Sequence, residues 1–412
     1  CIICQSDEYY MLKNIKKKNK KRLIPSFTAN SITERNSEGN MNEEPINSDF
    51  TLGGEYEFNG NNFEFTLNPD FSQVEADQSK IDVNQTTALR FEERRIFFNE
   101  GKDFLSSDLA TVYTRSINDP EYALKIYNRG EKHSYYFLDA EDNTTPIIVP
   151  GYQRSYSGLL GKSHANIFSY NYNLENGQNI GFLATNRDYE DGGNNSLYSL
   201  RGKFLFNDIY STKFEIVSTA MDEPISDVIN TSNVSKEHTY NLDGESFDGY
   251  GGVFGLARDT ENFYTRYYFA TKSPNYRSDL GFTTENDWTK HSFEQKFKYR
   301  SKGLIRSGNI SLRKEIMTDY DDVILDQETV ISARAELANQ LNVNMSWDNS
   351  HKITFEGYSF KNVKDYNIGI SYSPSEKFWV RLGYDWGDSL ARRIDTPEVG
   401  DRTNYSFNSS FQ

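Results

Sequence analysis

Alternation of apolar and polar side chains with a period of two limits this chain more than any other feature. In the C-terminal third, Leu341, Val343, Met345 and Trp347 alternate with Asn342, Asn344, Ser346 and Asp348. Tyr366, Ile368, Ile370 and Tyr372 alternate with Asn367, Gly369, Ser371 and Ser373. Phe378, Val380, Leu382, Tyr384 and Trp386 alternate with Lys377, Arg381, Gly383 and Asp385, leaving Trp379 as the exception. This is the signature of strands with one apolar face. No window of comparable length keeps an apolar period of 3.6, so few helices are expected. The runs are about ten residues long, enough to cross a bilayer at a tilt of about 45°. At about twenty residues per strand with its turn, the chain holds roughly 16–20 strands.

The beat starts near residue 50. Phe50–Phe58 and Phe63–Leu67 form a hairpin about a Gly60-Asn61 turn. Further strands are expected at Ala110–Ile117, Glu121–Asn128, Ser134–Leu138, Ala165–Leu174, Gln178–Asn186, Leu197–Phe206, Tyr210–Ala220, Tyr250–Arg258 and Phe263–Thr271. Polar loops are expected at 221–245 and 386–403. Apolar residues are only 36% of the chain, yet it carries 28 Tyr and 28 Phe, which cluster at strand ends (Tyr56-Phe58, Tyr170-Tyr172, Tyr384-Trp386). Aromatic strand ends, polar alternate faces and unequal connections point to a large antiparallel transmembrane β-barrel with a wet lumen. The competing reading is a secreted soluble β-sandwich that binds or hydrolyses glycans, because a sandwich shows the same period.

One stretch breaks the beat. Asn68-Pro69 should end the strand before it, since proline donates no ladder hydrogen bond. There follow Asp70-Phe71-Ser72-Gln73-Val74-Glu75-Ala76-Asp77 and then Phe91-Glu92-Glu93-Arg94-Arg95-Ile96-Phe97-Phe98-Asn99-Glu100-Gly101. A segment so rich in acids and arginines cannot face hydrocarbon. Residues 68–105 are therefore expected to fold into the lumen or latch at its rim. Phe71 and Phe97 or Phe98 would pack the segment on the wall, and Arg94 and Arg95 would pair with carboxylates.

The two motifs resemble the signature of a family of predicted bacterial outer-membrane β-barrels of unknown molecular role, usually found behind a carbohydrate-binding module similar to family nine. The family pattern reads close to NPDFSQVEAD followed by a PE(K/R)RPFFLEG run; here Glu92, Ile96 and Asn99 depart from it. The matching positions are Asn68, Pro69, Asp70, Phe71, Gln73, Glu75, Asp77, Glu93, Arg94, Arg95, Phe97, Phe98, Glu100 and Gly101. The resemblance implies the outer membrane of a Gram-negative cell, lipid as the immediate partner, and solute passage or surface display beside a polysaccharide or another surface or periplasmic protein. It divides the chain into a polar lead-in, 1–48, and a barrel, 49–412. It also implies a fragment at both ends, without the companion module.

Other chemistry is thinly supported. A net charge of −15 argues against nucleic acid, and the basic run Lys13–Arg22 reads as a solvated connector. Cys1 and Cys4 are a lone CxxC, and no apolar run of about 18 residues marks a membrane helix. Glu92 and Glu93, adjacent on a strand, would point to opposite faces and could not flank one glycosidic bond. His133, His164, His238, His291 and His351 are scattered, and the acidic runs 139–143 and 319–322 lack a calcium-loop glycine. No enzyme activity, metal or cofactor is expected.

Overall fold

The period-two runs become strands, and each finds its partner in the next strand of the sequence. The computed structural model describes residues 21–30, 33–35, 41–43, 47–69, 84–236, 238–375 and 377–411. The wall strands, in chain order, are β1 (Lys21–Asn30), β2 (Asn47–Phe58), β3 (Asn61–Leu67), β4 (Pro120–Arg129), β5 (His133–Asp142) and β6 (Ser163–Asn173). They continue as β7 (Asn179–Tyr189), β8 (Asn194–Phe206), β9 (Tyr210–Asp222), β10 (Ser246–Asp259), β11 (Phe263–Lys272) and β12 (Trp288–Arg300). The last six are β13 (Ile305–Thr318), β14 (Ile324–Leu337), β15 (Leu341–Phe355), β16 (Val363–Ser375), β17 (Phe378–Ala391) and β18 (Glu398–Phe411). With the short strand Tyr358–Phe360 they form one nineteen-stranded antiparallel sheet. Every ladder joins neighbours in that order. Among the described residues no ladder joins β1 to β18.

Tight turns gather at one end of the sheet. Asn59-Gly60 and Asn207-Asp208 have positive φ at both positions (50° and 80°, 49° and 57°), which suits the right-handed twist of hairpins. The first of these turns lies one residue earlier than expected. The opposite end carries the long connections: 68–119, 143–162, 223–245 and 273–287.

The outer face is apolar on strand after strand. Phe182, Leu200, Ile216, Phe254, Phe293, Ile310, Met345, Leu382 and Phe407 all point outward and are exposed, Ile216 by 62% in mid-strand. Aromatic rows cross it: Phe263 meets Phe297 at 5.5 Å, and Tyr366, Trp386, Tyr384 and Tyr405 stack in sequence at 5.4, 4.8 and 4.8 Å. A soluble sandwich would bury this face against a second sheet. Here a single sheet curls with its apolar face outward, so the sandwich reading falls.

The sheet curls round residues 84–117. Asn84 donates to the carbonyl of Leu390 on β17 at 2.7 Å, while Lys125 on β4 donates to the carbonyls of Phe97 and Glu100. Of the segment expected to fold inward, 68–105, residues 84–105 do so and the inward run continues to Ile117, while 70–83 lie outside the described residues. Its Phe98, Phe104, Leu105, Leu109, Val112 and Ile117 form one core with Tyr136, Leu138, Ile167, Leu183, Leu197 and Val217 from β5 to β9. The lumen is therefore not uniformly wet. The arc β4–β11 packs a dry core, while the inner face of β12–β18 carries Arg313, Glu315, Glu328, Asp348, Asp365 and Asp385.

Several elements differ from expectation. Residues 110–117 are no wall strand: Ala110 has a φ of 55°, and the run lies inside, where Tyr113 N–H donates to Leu280 and Phe282 N–H to Ala110. Its apolar alternation serves the lumenal core. The expected loop 386–403 is mostly strand, because β17 runs to Ala391 and β18 starts at Glu398. Acids Asp139–Asp142 lie in β5, not at a loop tip. The excursion 221–245 contains a small hairpin, Ile225–Ser226 with Leu242–Asp243, and buried Ile229 and Tyr240. The lead-in 1–48 carries a strand where its Leu23–Ala29 reads as strand-like, but this strand, β1, pairs with β2 as part of the wall.

A charge on the outer face should be costly. Leu382→Arg should destabilise the protein folded into lipid by about 2–4 kcal/mol, and Ser346→Arg on the inner face should change little. Urea titration in liposomes checks the difference.

Candidate functional site

The segment that interrupts the strand beat is irregular backbone inside a β-structure, so its N–H and C=O groups need partners. Asn68 ends β3 with a φ of 45°, and its N–H donates to Glu121 at 2.7 Å. Pro69 follows, and Asp70, Phe71, Gln73, Glu75 and Asp77 lie outside the described residues. From Asn84 the chain runs inward to a single helical turn, Ile96–Asn99. Gly101 then takes a φ of 82°, and a Cβ there would come within 3.0 Å of the Tyr136 ring. Both conformation and space demand glycine.

Arg95 organises the turn from within. Its Nη1 donates to the carbonyl of Ile117 (2.6 Å) and its Nη2 to that of Thr114 (2.9 Å). Its Nε and Nη2 grip both oxygens of Glu93 at 2.9 and 2.7 Å, with both side chains only 8% exposed. The guanidinium lies 4.2 Å from the centroid of the Phe98 ring. Burial pushes the Glu93 carboxyl up, but the Arg95 hydrogen bonds and charge outweigh it, and the pKa falls below its usual value of 4.5. Glu92 and Glu93 sit on no strand; Glu93 is committed to Arg95 and to the Thr114 hydroxyl. Arg94 is half-buried beside them. Phe97 packs at the edge of the core, T-shaped to Phe98 at 5.1 Å.

The wall supplies sockets for the rest of the segment. Lys125, fully buried, pairs with Glu64 at 2.6 Å as well as holding Phe97 and Glu100. Arg187 donates to the carbonyl of Ser116 at 3.0 Å. Arg201 donates to the carbonyls of Ser106 and Phe104. Glu215 accepts from Ser107 Oγ (2.7 Å) and Asp108 N–H (2.9 Å). Asp142 accepts from the N–H groups of Asn118 (2.9 Å) and Asp119 (2.7 Å).

Sequence reasoning placed Arg95, Glu93, Phe97, Phe98 and Gly101 in one segment but missed these five wall residues. The available signal was a charge on the face that alternation assigns to apolar partners, as with Arg187 beside Leu183 and Thr185. A cavity of about 530 Å³, lined by Asp103, Ser107, Asp108, Arg129, Arg201 and Lys213 among others, lies between the segment and the tight-turn end. A second, of about 300 Å³, lies by Asn84, Gln153, Glu285, Trp288, Asp326 and Arg392.

Residues 38–134, which contain both motifs, match a family model described as a domain of unknown function (DUF5916). No curated protein matches the chain in sequence. In structure the chain is similar to a mutant of the ferric enterobactin receptor from Pseudomonas aeruginosa, at TM-score 0.39 and 9% identity over 96% of this chain and 73% of that one. It is similar to the FrpB iron transporter from Neisseria meningitidis at TM-score 0.35 and 10% identity, over 97% and 82%. It is similar also to the ferric-catecholate import receptor Fiu from E. coli K12 at TM-score 0.30 and 8% identity, over 95% and 81%.

Arg95→Ala would strand the buried Glu93 and free two carbonyls, and should destabilise the segment by about 3–5 kcal/mol. Limited proteolysis should then cut within 84–117, where the parent resists. The pair also has a definite pH signature. With its folded pKa depressed, Glu93 stabilises fully above its ordinary value near 4.5 and loses that contribution as pH falls through the lower folded value. Protease sensitivity of the parent should therefore rise only below that range, and Glu93→Gln should abolish this acid-dependent increase.

Proposed function

We propose that this chain is an outer-membrane β-barrel in which residues 84–117 occlude one side of the lumen and small polar solutes pass along the other. The outward apolar face of the strands is the observation that carries the reading, since lipid is the solvent that suits it. Tight turns at one end and long connections at the other follow the arrangement of outer-membrane barrels, with the long connections outside the cell. The inner face of β12–β18 offers a polar path; its Glu315, Glu328 and Asp365 are paired with Arg313 and Arg402, and Asp348 and Asp385 are the carboxylates that favour cations over anions.

The role is non-enzymatic in this reading: Glu93, Glu215 and Asp142 anchor backbone and are not free for proton transfer. A functional link to polysaccharide rests on the companion module that the motif resemblance implies, with the barrel acting beside a surface glycan.

Single-channel recording in planar bilayers tests the proposal. The parent should show small, cation-selective conductance. Asp348→Asn with Asp385→Asn should lower that selectivity, and Arg94→Ala with Arg95→Ala should enlarge the conductance. A protein that inserts but shows no conductance, or the same conductance and selectivity in all three forms, would contradict it.

A further inference from the structure

The excursion between β9 and β10 begins at Glu223 and returns at Glu245, where Glu223 N–H donates to the Glu245 carbonyl at 2.9 Å. Asp243 stands on the small hairpin between them. One carboxylate oxygen from each of Glu223, Asp243 and Glu245 lies within 4.8 Å of the other two. Two oxygens on opposite sides of a calcium ion, each at roughly 2.4 Å, stand about that far apart.

The charge around the cluster is unbalanced. His238 faces it, with Nδ1 3.7 Å from Glu245 Oε2, and the buried Arg277 is shared: Nη1 meets Glu223 Oε1 at 2.6 Å and Nε meets Asp279 Oδ1 at 2.8 Å. The Glu223 side chain is only 1% exposed, yet its second oxygen, Oε2, is buried without a hydrogen-bond partner. A buried carboxylate oxygen with no donor is costly, and it sets this cluster apart from an ordinary run of surface acids. Asp243 and Glu245 are steadied from the protein side, by Thr239 Oγ1 at 2.8 Å and Thr239 N–H at 2.9 Å.

We infer that Glu223, Asp243 and Glu245 form a binding site for a hard divalent cation of the calcium class, which clamps the 223–245 excursion onto the long-connection end of the wall. The donors are oxygens contributed by flexible connections, which suits the larger ion's irregular shell better than the strict octahedron of magnesium. The clamp holds a lid: Ile229, Tyr240 and Leu242 of the excursion pack with Ile147, Val149, Tyr189 and Met221. Without the ion, three carboxylates repel one another at the base of that lid.

Full-length protein folded in detergent and stripped with chelator, then titrated with CaCl2 by calorimetry, tests the site. One saturable site is expected, with Kd on the order of 10⁻⁴–10⁻³ M as in extracellular modules. Asp243→Asn and Glu245→Gln, which leave the Glu223–Arg277 pair intact, should each weaken binding at least about tenfold by removing one charged ligand. Calcium should also slow proteolysis within 226–241 in the parent and not in these variants. No saturable binding, or binding unchanged in the double variant, would overturn the inference. So would zinc binding more tightly than calcium and lost in His238→Ala, which would make it a histidine site.

Discussion

A handful of buried charges on the wall, set against the backbone of residues 93–119, is the interaction on which the rest of the structure depends. Irregular chain inside a barrel brings peptide groups out of water, and each unpaired group costs about 1–3 kcal/mol. Lys125, Arg187, Arg201, Glu215 and Asp142 answer this by bonding carbonyls and N–H groups directly. Their own desolvation is offset only while the segment is in place. Segment and wall therefore stabilise each other, and neither arrangement is favourable alone.

This dependence divides the lumen. Where β4–β11 meet the segment, the inner face sets apolar side chains such as Leu138, Ile167, Leu183 and Leu197 among those buried charges. Along β12–β18 the inner residues are ionic and paired along the wall, as in Arg313 with Glu315 and Glu328, or Arg402 with Asp365. A second inward connection, 273–287, closes the dry side, with Tyr276 and Leu280 in the core and the buried Arg277 held by Glu223 and Asp279. The excursion carrying Glu223 and Glu245 packs on Ile147, Val149, Tyr189 and Met221, at the long-connection end of this dry arc.

The strands were legible because alternation is local: Leu341–Trp347 and Tyr366–Tyr372 read directly as one-faced strands and form them. The inward segment was legible from composition, since arginines, acids and Asn68-Pro69 cannot continue a lipid-facing ladder. What alternation could not disclose was the destination of each face. The run 110–117 alternates like a wall strand, yet its apolar residues serve the lumen, because the pattern records burial and not the partner that provides it. Arg187 and Glu215 are charges on a face patterned for apolar partners, and their role appears only when distant backbone arrives opposite them. The loop at 386–403 was overestimated for a related reason: Gly387, Asp388 and Ser389 are poor strand formers by propensity, but pairing with β18 carries them.

Hydrogen–deuterium exchange on the protein folded in lipid tests the central claim most directly. The amides of Asn99, Glu100, Phe104, Asp108, Asn118 and Asp119 should exchange as slowly as those of the neighbouring strands β4–β9, and Lys125→Met should release the first three. Exchange of these six amides at the rate of an unstructured peptide, in protein whose strands are protected, would contradict it.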